Sequence, residues 1–286
     1  MGLREVAPLT ALAALAALAG CAKFGSGNGD DGRPLGDAAA GPLGDGGAGA
    51  DAGPLLGTEG MPAADCAELR DAGFPSGTGW VRHPDGVSPA FEVYCEQELN
   101  GGGWAMLYNS VLREDGTTTA FWQFDYAARL GTMGTAAPDE NYYQGALYLI
   151  GTSYFDAFTD LGGASAVALE VSADGFDQGS MAFIAPTLVS GDANVFNAHY
   201  AAGWSARDRD GDIYPDGNCA TLYSDIAQHY SACWNYNLGS DADDPHLDGG
   251  VGPHVANAIL TALALTPQAD GGAYSRVQRI ARFTRW

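Results

Sequence analysis

The segment Asp208-Arg209-Asp210-Gly211-Asp212-Ile213-Tyr214-Pro215-Asp216-Gly217-Asn218-Cys219 sets four carboxylates at alternate or near-alternate positions on a turn-rich loop that ends in a cysteine. Alternate side chains of a curved loop converge, and a hard cation takes six to eight oxygens at about 2.3–2.6 Å, so the pattern reads as a calcium loop. It is not an EF-hand. With Asp208 in first position, Ile213 stands where the sharp-turn glycine belongs and Cys219 where the bidentate glutamate belongs. The competing reading is a solvated acidic loop.

The N-terminus bears on the compartment. Arg4 precedes an Ala/Leu-rich run from Ala7 to Ala19, too short to span a bilayer, which leads into Leu18-Ala19-Gly20-Cys21. Small residues before a cysteine at this position form a lipobox. Residues 1–20 are therefore expected to be a lipoprotein signal peptide and Cys21 the lipidated first residue of an exported bacterial lipoprotein; an ordinary secretory signal cut near Ala19 is the alternative. Ala22, rather than an aspartate, after Cys21 favours the outer membrane or cell surface. Residues 21–61 read as a disordered tether: Gly, Ala, Asp and Pro dominate, and Pro-Leu-Gly-Asp occurs at Pro34 and again at Pro42. Such a composition buries too little apolar surface to offset chain entropy.

Residues 62–286 suffice for one large domain with a substantial core. Of five cysteines, four remain if Cys21 carries lipid, an even number suited to an oxidising compartment and open to three pairings. The chain carries a net charge of −22, and most of it falls in this domain. So acidic a surface repels phosphate backbones, which argues against nucleic acid and suits neutral glycans or cationic partners.

Strands are expected at Phe91–Cys95, Trp104–Ser110, Leu147–Ile150, Val167–Val171, Met181–Ile184 and Val277–Arg285, and helices at Asp65–Asp71, capped by Asp65, Ser153–Thr159 and Val255–Leu265. The last strand is read with Arg279, Arg282 and Arg285 on a polar face, paired with surface carboxylates.

Cys66-Ala67-Glu68-Leu69, Ser76-Gly77, the run Tyr94-Cys95-Glu96 through Gly101-Gly102-Gly103-Trp104, Asn218-Cys219-Ala220 and Cys233-Trp234-Asn235-Tyr236-Asn237-Leu238-Gly239 together resemble the fibrinogen C-terminal domain of bacterial YCDxxxxGGGW type. The resemblance implies an α+β fold with a central mixed or antiparallel sheet, few short helices and long loops. It implies the pairings Cys66–Cys95 and Cys219–Cys233 and a cis Asn218–Cys219 peptide. It also implies Ca²⁺ at Asp210 and Asp212 with carbonyls near Tyr214 and Asp216, and Asp208 as a further or water-mediated ligand. The loop is one residue longer than the usual pattern, so the carbonyls shift to Pro215 or Gly217 in an alternative register. A pocket walled by Asn218, Cys219, Tyr223, Cys233, Trp234 and Tyr236 is expected beside it. Trp234 stands where the family commonly has His, an aromatic platform for a sugar face, and Trp234 or Tyr236 is expected exposed with Trp204 in the core.

The function expected is recognition, lectin-like binding of glycans or acetylated groups, with protein adhesion as the alternative and a glycan hydrolase behind both. The chain has neither a Gly-x-Ser-x-Gly elbow nor His-Glu-x-x-His, and its histidines are scattered, so no enzyme is expected. The partner is a glycan or a surface protein, and the membrane is met through the N-terminal lipid alone. The segment from Asp243 to His254, with His246 and His254, is a candidate second metal site; intelectins, lectins related to this fold, place cation ligands in a similar Gly-rich segment.

Overall fold

The computed structural model describes residues 55–232, 234–240, 251–268 and 272–286. Sixteen strands are present among these residues: β1 (Gly77–Val81), β2 (Phe91–Glu96), β3 (Trp104–Val111), β4 (Thr132–Gly134), β5 (Tyr142–Gln144), β6 (Ser153–Thr159), β7 (Ser165–Ser172), β8 (Gly175–Asp177), β9 (Ala182–Ile184), β10 (Thr187–Gly191), β11 (Gly203–Ser205), β12 (Gln228–Tyr230), β13 (Tyr236–Ser240), β14 (Gly252–Ala256), β15 (Tyr274–Arg276) and β16 (Arg279–Arg285). Five short helices join them: α1 (Cys66–Asp71), α2 (Thr117–Trp122), α3 (Ala193–His199), α4 (Cys219–Leu222) and α5 (Asn257–Ala262).

The main sheet is nine-stranded and runs β1-β2-β3-β16-β6-β7-β10, with β5 on β3 and β4 on β5. Every pairing in it is antiparallel. The last strand in sequence therefore sits in the middle, and its neighbours are buried on both faces. One face carries Trp104, Met106, Phe155, Ala281 and Phe283. The other faces the larger core, with Tyr108, Tyr154, Phe158 and Ile280.

Residues 153–159 form the central strand β6 rather than a helix. Five consecutive buried positions erase the alternation that marks a half-buried strand, and short apolar runs do not separate strand from helix by period. Residues 147–150 lie instead in a 3₁₀ turn, Gly145–Leu149. The expected helix over 255–265 is shorter, because its first residues continue β14 before α5 begins. The ordered domain also starts before residue 62. Gly57 O accepts from Trp80 N at 2.8 Å, Ala63 N donates to Trp80 O at 3.0 Å, and Leu56 packs on the core.

The motif around the three glycines acts as a buckle at one end of the sheet. Cys66 and Cys95 form the expected disulfide, with Cα atoms 5.4 Å apart. Closing a loop of that length stabilises by about 3–4 kcal/mol in the chain-entropy account. Gln97 Oε1 accepts from Gly103 N at 2.8 Å and its Nε2 donates to Cys66 O at 3.1 Å. Gly102 has φ 68°, and a Cβ there would stand 2.3 Å from Gln97 O, so only glycine closes this turn.

The arginines of β16 do not share a face. A spacing of three puts Arg282 on the opposite side from Arg279 and Arg285. Arg279 Nε reaches Asn109 Oδ1 at 2.5 Å, and Arg285 lies 3.7 Å over the Trp104 ring. Arg282 points into the core, 1 % exposed, and forms a bidentate pair with fully buried Asp156 at 2.7 and 2.9 Å. Asp156 also accepts from Tyr200 Oη at 2.8 Å and Tyr236 Oη at 3.0 Å, which fills the four acceptor positions of a carboxylate. Tyr236 spends its one hydroxyl proton there, so it accepts from Arg282 Nη2 and from Tyr108 Oη, each at 2.7 Å. Burial alone lowers the pKa of Arg282, but the Asp156 carboxylate and the surrounding tyrosines hold it well above the ordinary value.

His199 fixes the next segment. Its Nδ1 meets His229 O at 2.9 Å, its Nε2 faces Asn235 N and Tyr236 N at 3.2 and 3.3 Å, and its ring stacks on Tyr236 at 3.6 Å. Those partners require neutral imidazole, N–H on Nδ1 and acceptor on Nε2. Burial, and then the Arg282 charge, push both His199 and His229 well below the ordinary histidine pKa.

With folded pKa values depressed, the unfolded chain takes up protons below about pH 6.5 that the folded chain cannot. Stability from these two rings is present above that pH and is lost as pH falls, at about 1.4 kcal/mol per pH unit for each. Urea unfolding at pH 7, 6 and 5 is expected to show that loss before the carboxylates titrate. A flat profile from pH 6.5 to 5 contradicts the assignment.

Candidate functional site

The acidic segment is pinned at both ends. Its start is a tight turn in which Ala206 and Arg209 exchange backbone hydrogen bonds at 2.8 and 3.0 Å. Gly203 of β11 and Gly211 approach so closely that a Cβ on Gly203 would fall 1.5 Å from Gly211 O. A side chain at either glycine would lift the loop off Trp204, which is buried as expected, with Phe124 and Tyr126 5.8 and 5.7 Å from its ring.

Asp212 is the organising residue of the loop. Its Oδ1 accepts from Tyr214 N at 2.9 Å, and its Oδ2 accepts from Ser205 Oγ at 2.9 Å and Cys219 N at 2.8 Å. Asn218 then caps α4, accepting from Ala220 N at 2.8 Å while its Nδ2 donates to Ala206 O at 2.8 Å. The Asn218–Cys219 peptide is trans, as are all the described peptide bonds, so the cis bond implied by the resemblance is corrected. In the trans form Asn218 has the extended φ/ψ of an N-cap, and its side chain meets the helix directly.

The remaining carboxylates diverge. Asp208 Oδ1 accepts from Tyr126 N at 2.8 Å, across from the ion pair of Arg207 with Asp125 at 2.6 Å. Asp210 and Asp216 are exposed, and Tyr214 is half-buried against the Tyr230–Trp234 cluster. Among the described residues no three carboxylate, imidazole or thiol side chains converge as a metal cluster. The donor set is nonetheless all oxygen, the chemistry a hard cation takes.

Of the expected pocket wall, Cys219, Trp234 and Tyr236 are buried, at 0, 4 and 1 % exposure. The expectation that Trp234 or Tyr236 is exposed is therefore corrected. Trp234 packs edge-on against Tyr223 at 5.5 Å and against Tyr274 at 4.5 Å, so its ring faces are protein contacts and offer no platform for a sugar. Tyr236 is committed to the Asp156 network and to His199. Asn218 and Tyr223 stay partly exposed. Cys219 Sγ lies 3.6 Å from Ser231 O; its expected partner Cys233 falls outside the described residues. So do Cys21 and His246, whereas His254 is buried in β14 with Nδ1 2.9 Å from Gly252 O.

What the loop does present is a mixed surface that sequence reading passed over. Ile213 is 68 % exposed and Leu222 41 % exposed, on the same segment as exposed Asp208, Asp210 and Asp216. Two separately exposed apolar residues on either side of a helix cap carry no motif, which is why only the structure shows them.

No family model matches the chain. Human fibroleukin is 32 % identical over 194 residues, which is 61 % of this chain and 40 % of that protein. Human angiopoietin-related protein 6 is 35 % identical over 191 residues, 62 % of this chain and 37 % of that protein. The chain thus spans about two fifths of the length of these relatives. Among solved structures, the fibrinogen-like globe domain of human ANGPTL6 superposes with a TM-score of 0.53 at 28 % identity, over 78 % of this chain and 95 % of that domain. The corresponding domain of human ANGPTL2 gives 0.54 at 22 % identity, a likeness of fold alone, over 78 and 99 %. The chain carries a fibrinogen-like domain in the globe fold of those structures.

Proposed function

We propose that this protein is a surface-anchored lipoprotein whose fibrinogen-like domain recognises a macromolecular ligand through the loop from Asp208 to Leu222. The observation that carries this reading is the loop itself: an exposed, acidic segment with exposed Ile213 and Leu222, held by Asp212 and Asn218 between the paired strands β11 and β12. Functional surfaces of this kind sit on loops positioned by a rigid scaffold. Lipid on Cys21 anchors the chain to the outer membrane, and residues 22 to about 54 serve as a spacer. Recognition rather than turnover is the task. The buried histidines support this, since His199 spends both ring nitrogens, and His229 its Nε2, on backbone groups.

Burial of Trp234 and Tyr236 favours a protein surface over a sugar ring as ligand. A partner with a basic rim around an apolar centre complements Ile213 and Leu222 within their carboxylates. Binding of the full-length protein to glycan and basic-protein arrays, with and without chelator, checks this. The expected outcome is capture by basic proteins that weakens with salt and is lost in Ile213→Asp. Selective, chelator-sensitive capture by acetylated glycans would favour the lectin reading instead.

Calcium is proposed as the stabiliser of this loop, held by Asp210 and Asp212 with backbone carbonyls from the Tyr214–Asp216 stretch, while Asp208 faces Tyr126. The ion would offset like charge on a loop whose four carboxylates have no salt-bridge partner among the described residues. Asp212 has a second role in the structure, so the two aspartates are expected to differ. Asp210→Ala is expected to erase the rise in thermal midpoint on adding calcium and to leave the midpoint in chelator unchanged. Asp212→Ala is expected to lower the midpoint in chelator as well, by about 3–6 °C for a loss of about 1.5 kcal/mol of hydrogen bonding. Differential scanning calorimetry reads both; a wild-type midpoint indifferent to calcium overturns the metal assignment.

A further inference from the structure

A cavity of about 120 Å³ lies at the opposite kind of site, beneath the disulfide rather than the acidic loop, and shares no residue with the loop from Asp208 to Leu222. Its wall brings Asp65 and Arg285 together with Thr284, Trp286, Ala105 and the Cys66 half of the disulfide. One carboxylate and one guanidinium thus face a shared, mainly apolar space.

Arg285 is pre-set for a ligand. Its Nε donates to Gly103 O at 3.1 Å, its Nη2 donates to Gly102 O, and its plane lies over the Trp104 ring. Those contacts fix the guanidinium while Nη1 has no hydrogen-bond acceptor among the described residues. Burial, and then the nearby Arg70 charge, lower its pKa, against the opposing pull of Glu170 and Asp65. Asp65 is equally divided. Oδ1 accepts from Glu68 N at 2.8 Å, while no donor to Oδ2 is present among the described residues.

We propose that this cavity binds a free α-amino acid of glycine or alanine size. The carboxylate would meet Arg285 Nη1, the ammonium would meet Asp65 Oδ2, and a hydrogen or methyl side chain would lie against Ala105 and the disulfide. A cavity of about 150 Å³ holds benzene, with its six non-hydrogen atoms, so this space of about 120 Å³ holds about five. Glycine has five non-hydrogen atoms and alanine six, whereas leucine has nine. Opposed charges set on one apolar wall select a zwitterion over a simple carboxylate, because each unpaired charge left in the cavity costs desolvation.

Isothermal titration calorimetry of the full-length protein with glycine, alanine, acetate and leucine tests the proposal. Saturable binding of glycine and alanine and none of leucine is expected. Arg285→Gln is expected to weaken glycine and acetate binding at least tenfold. Asp65→Asn keeps the cap of α1, since Asn caps as well as Asp, and is expected to weaken glycine at least tenfold while acetate binds no more weakly, because a like charge facing it is removed. That split holds as a test even if Arg285→Gln fails to fold. Absence of saturable binding by glycine and alanine, or equal glycine affinity in wild type and Asp65→Asn, overturns the proposal.

Discussion

The bidentate pair between Asp156 and Arg282 is the interaction on which the rest of the domain depends. Both charges are buried, and an ion pair taken out of water repays its desolvation only when every remaining donor and acceptor is matched. Here the matching comes from five separate parts of the chain. Asp156 is on β6, Arg282 on β16, Tyr108 on β3 and Tyr236 on β13; Tyr200 follows α3. The network therefore ties the central strands to the segments that lead to and from the acidic loop. Tyr236 passes the constraint on by stacking on His199, which in turn holds Asn235 and Tyr236 by their backbone.

Much of this was legible in the sequence at the level of fold and little at the level of the core. The Cys66, Cys95 and triple-glycine motif pointed to a sheet closed by a disulfide, and the structure has both, because left-handed φ values and a short half-cystine separation are local demands that particular residue types answer. The strand 153–159 was hidden for the opposite reason. A strand central in the sheet is buried on both faces and loses its alternation. Arg282 was hidden by its company, since three arginines on one strand suggest a solvated face unless their spacing is followed residue by residue.

The loop from Asp208 to Cys219 shows how a pattern of like residues conceals a division of labour. Asp212 turns inward to hold Ser205, Tyr214 and Cys219, Asp208 reaches back to Tyr126, and Asp210 stays on the surface. Spacing alone made them equivalent. The aromatic residues beyond the loop divide in the same way: Trp234 packs with Cys219, Ala220 and Tyr214 of the loop, whereas Tyr236 belongs to the Asp156 network, and the loop's exposed apolar residues are Ile213 and Leu222. Sequence reading favoured the aromatic residues as contact groups, because side chains with a polar tip serve both interfaces and cores.

Asp156 and Arg282 act as one unit. A double-mutant cycle with Asp156→Leu, Arg282→Met and the double variant, read by urea unfolding at pH 7, measures this directly. Either single change leaves an uncompensated charge in the core and is expected to cost about 3–5 kcal/mol, whereas the double variant is expected to be no less stable than either single one, giving a coupling above about 2 kcal/mol. Single changes that each cost under about 1 kcal/mol and add independently would contradict the account.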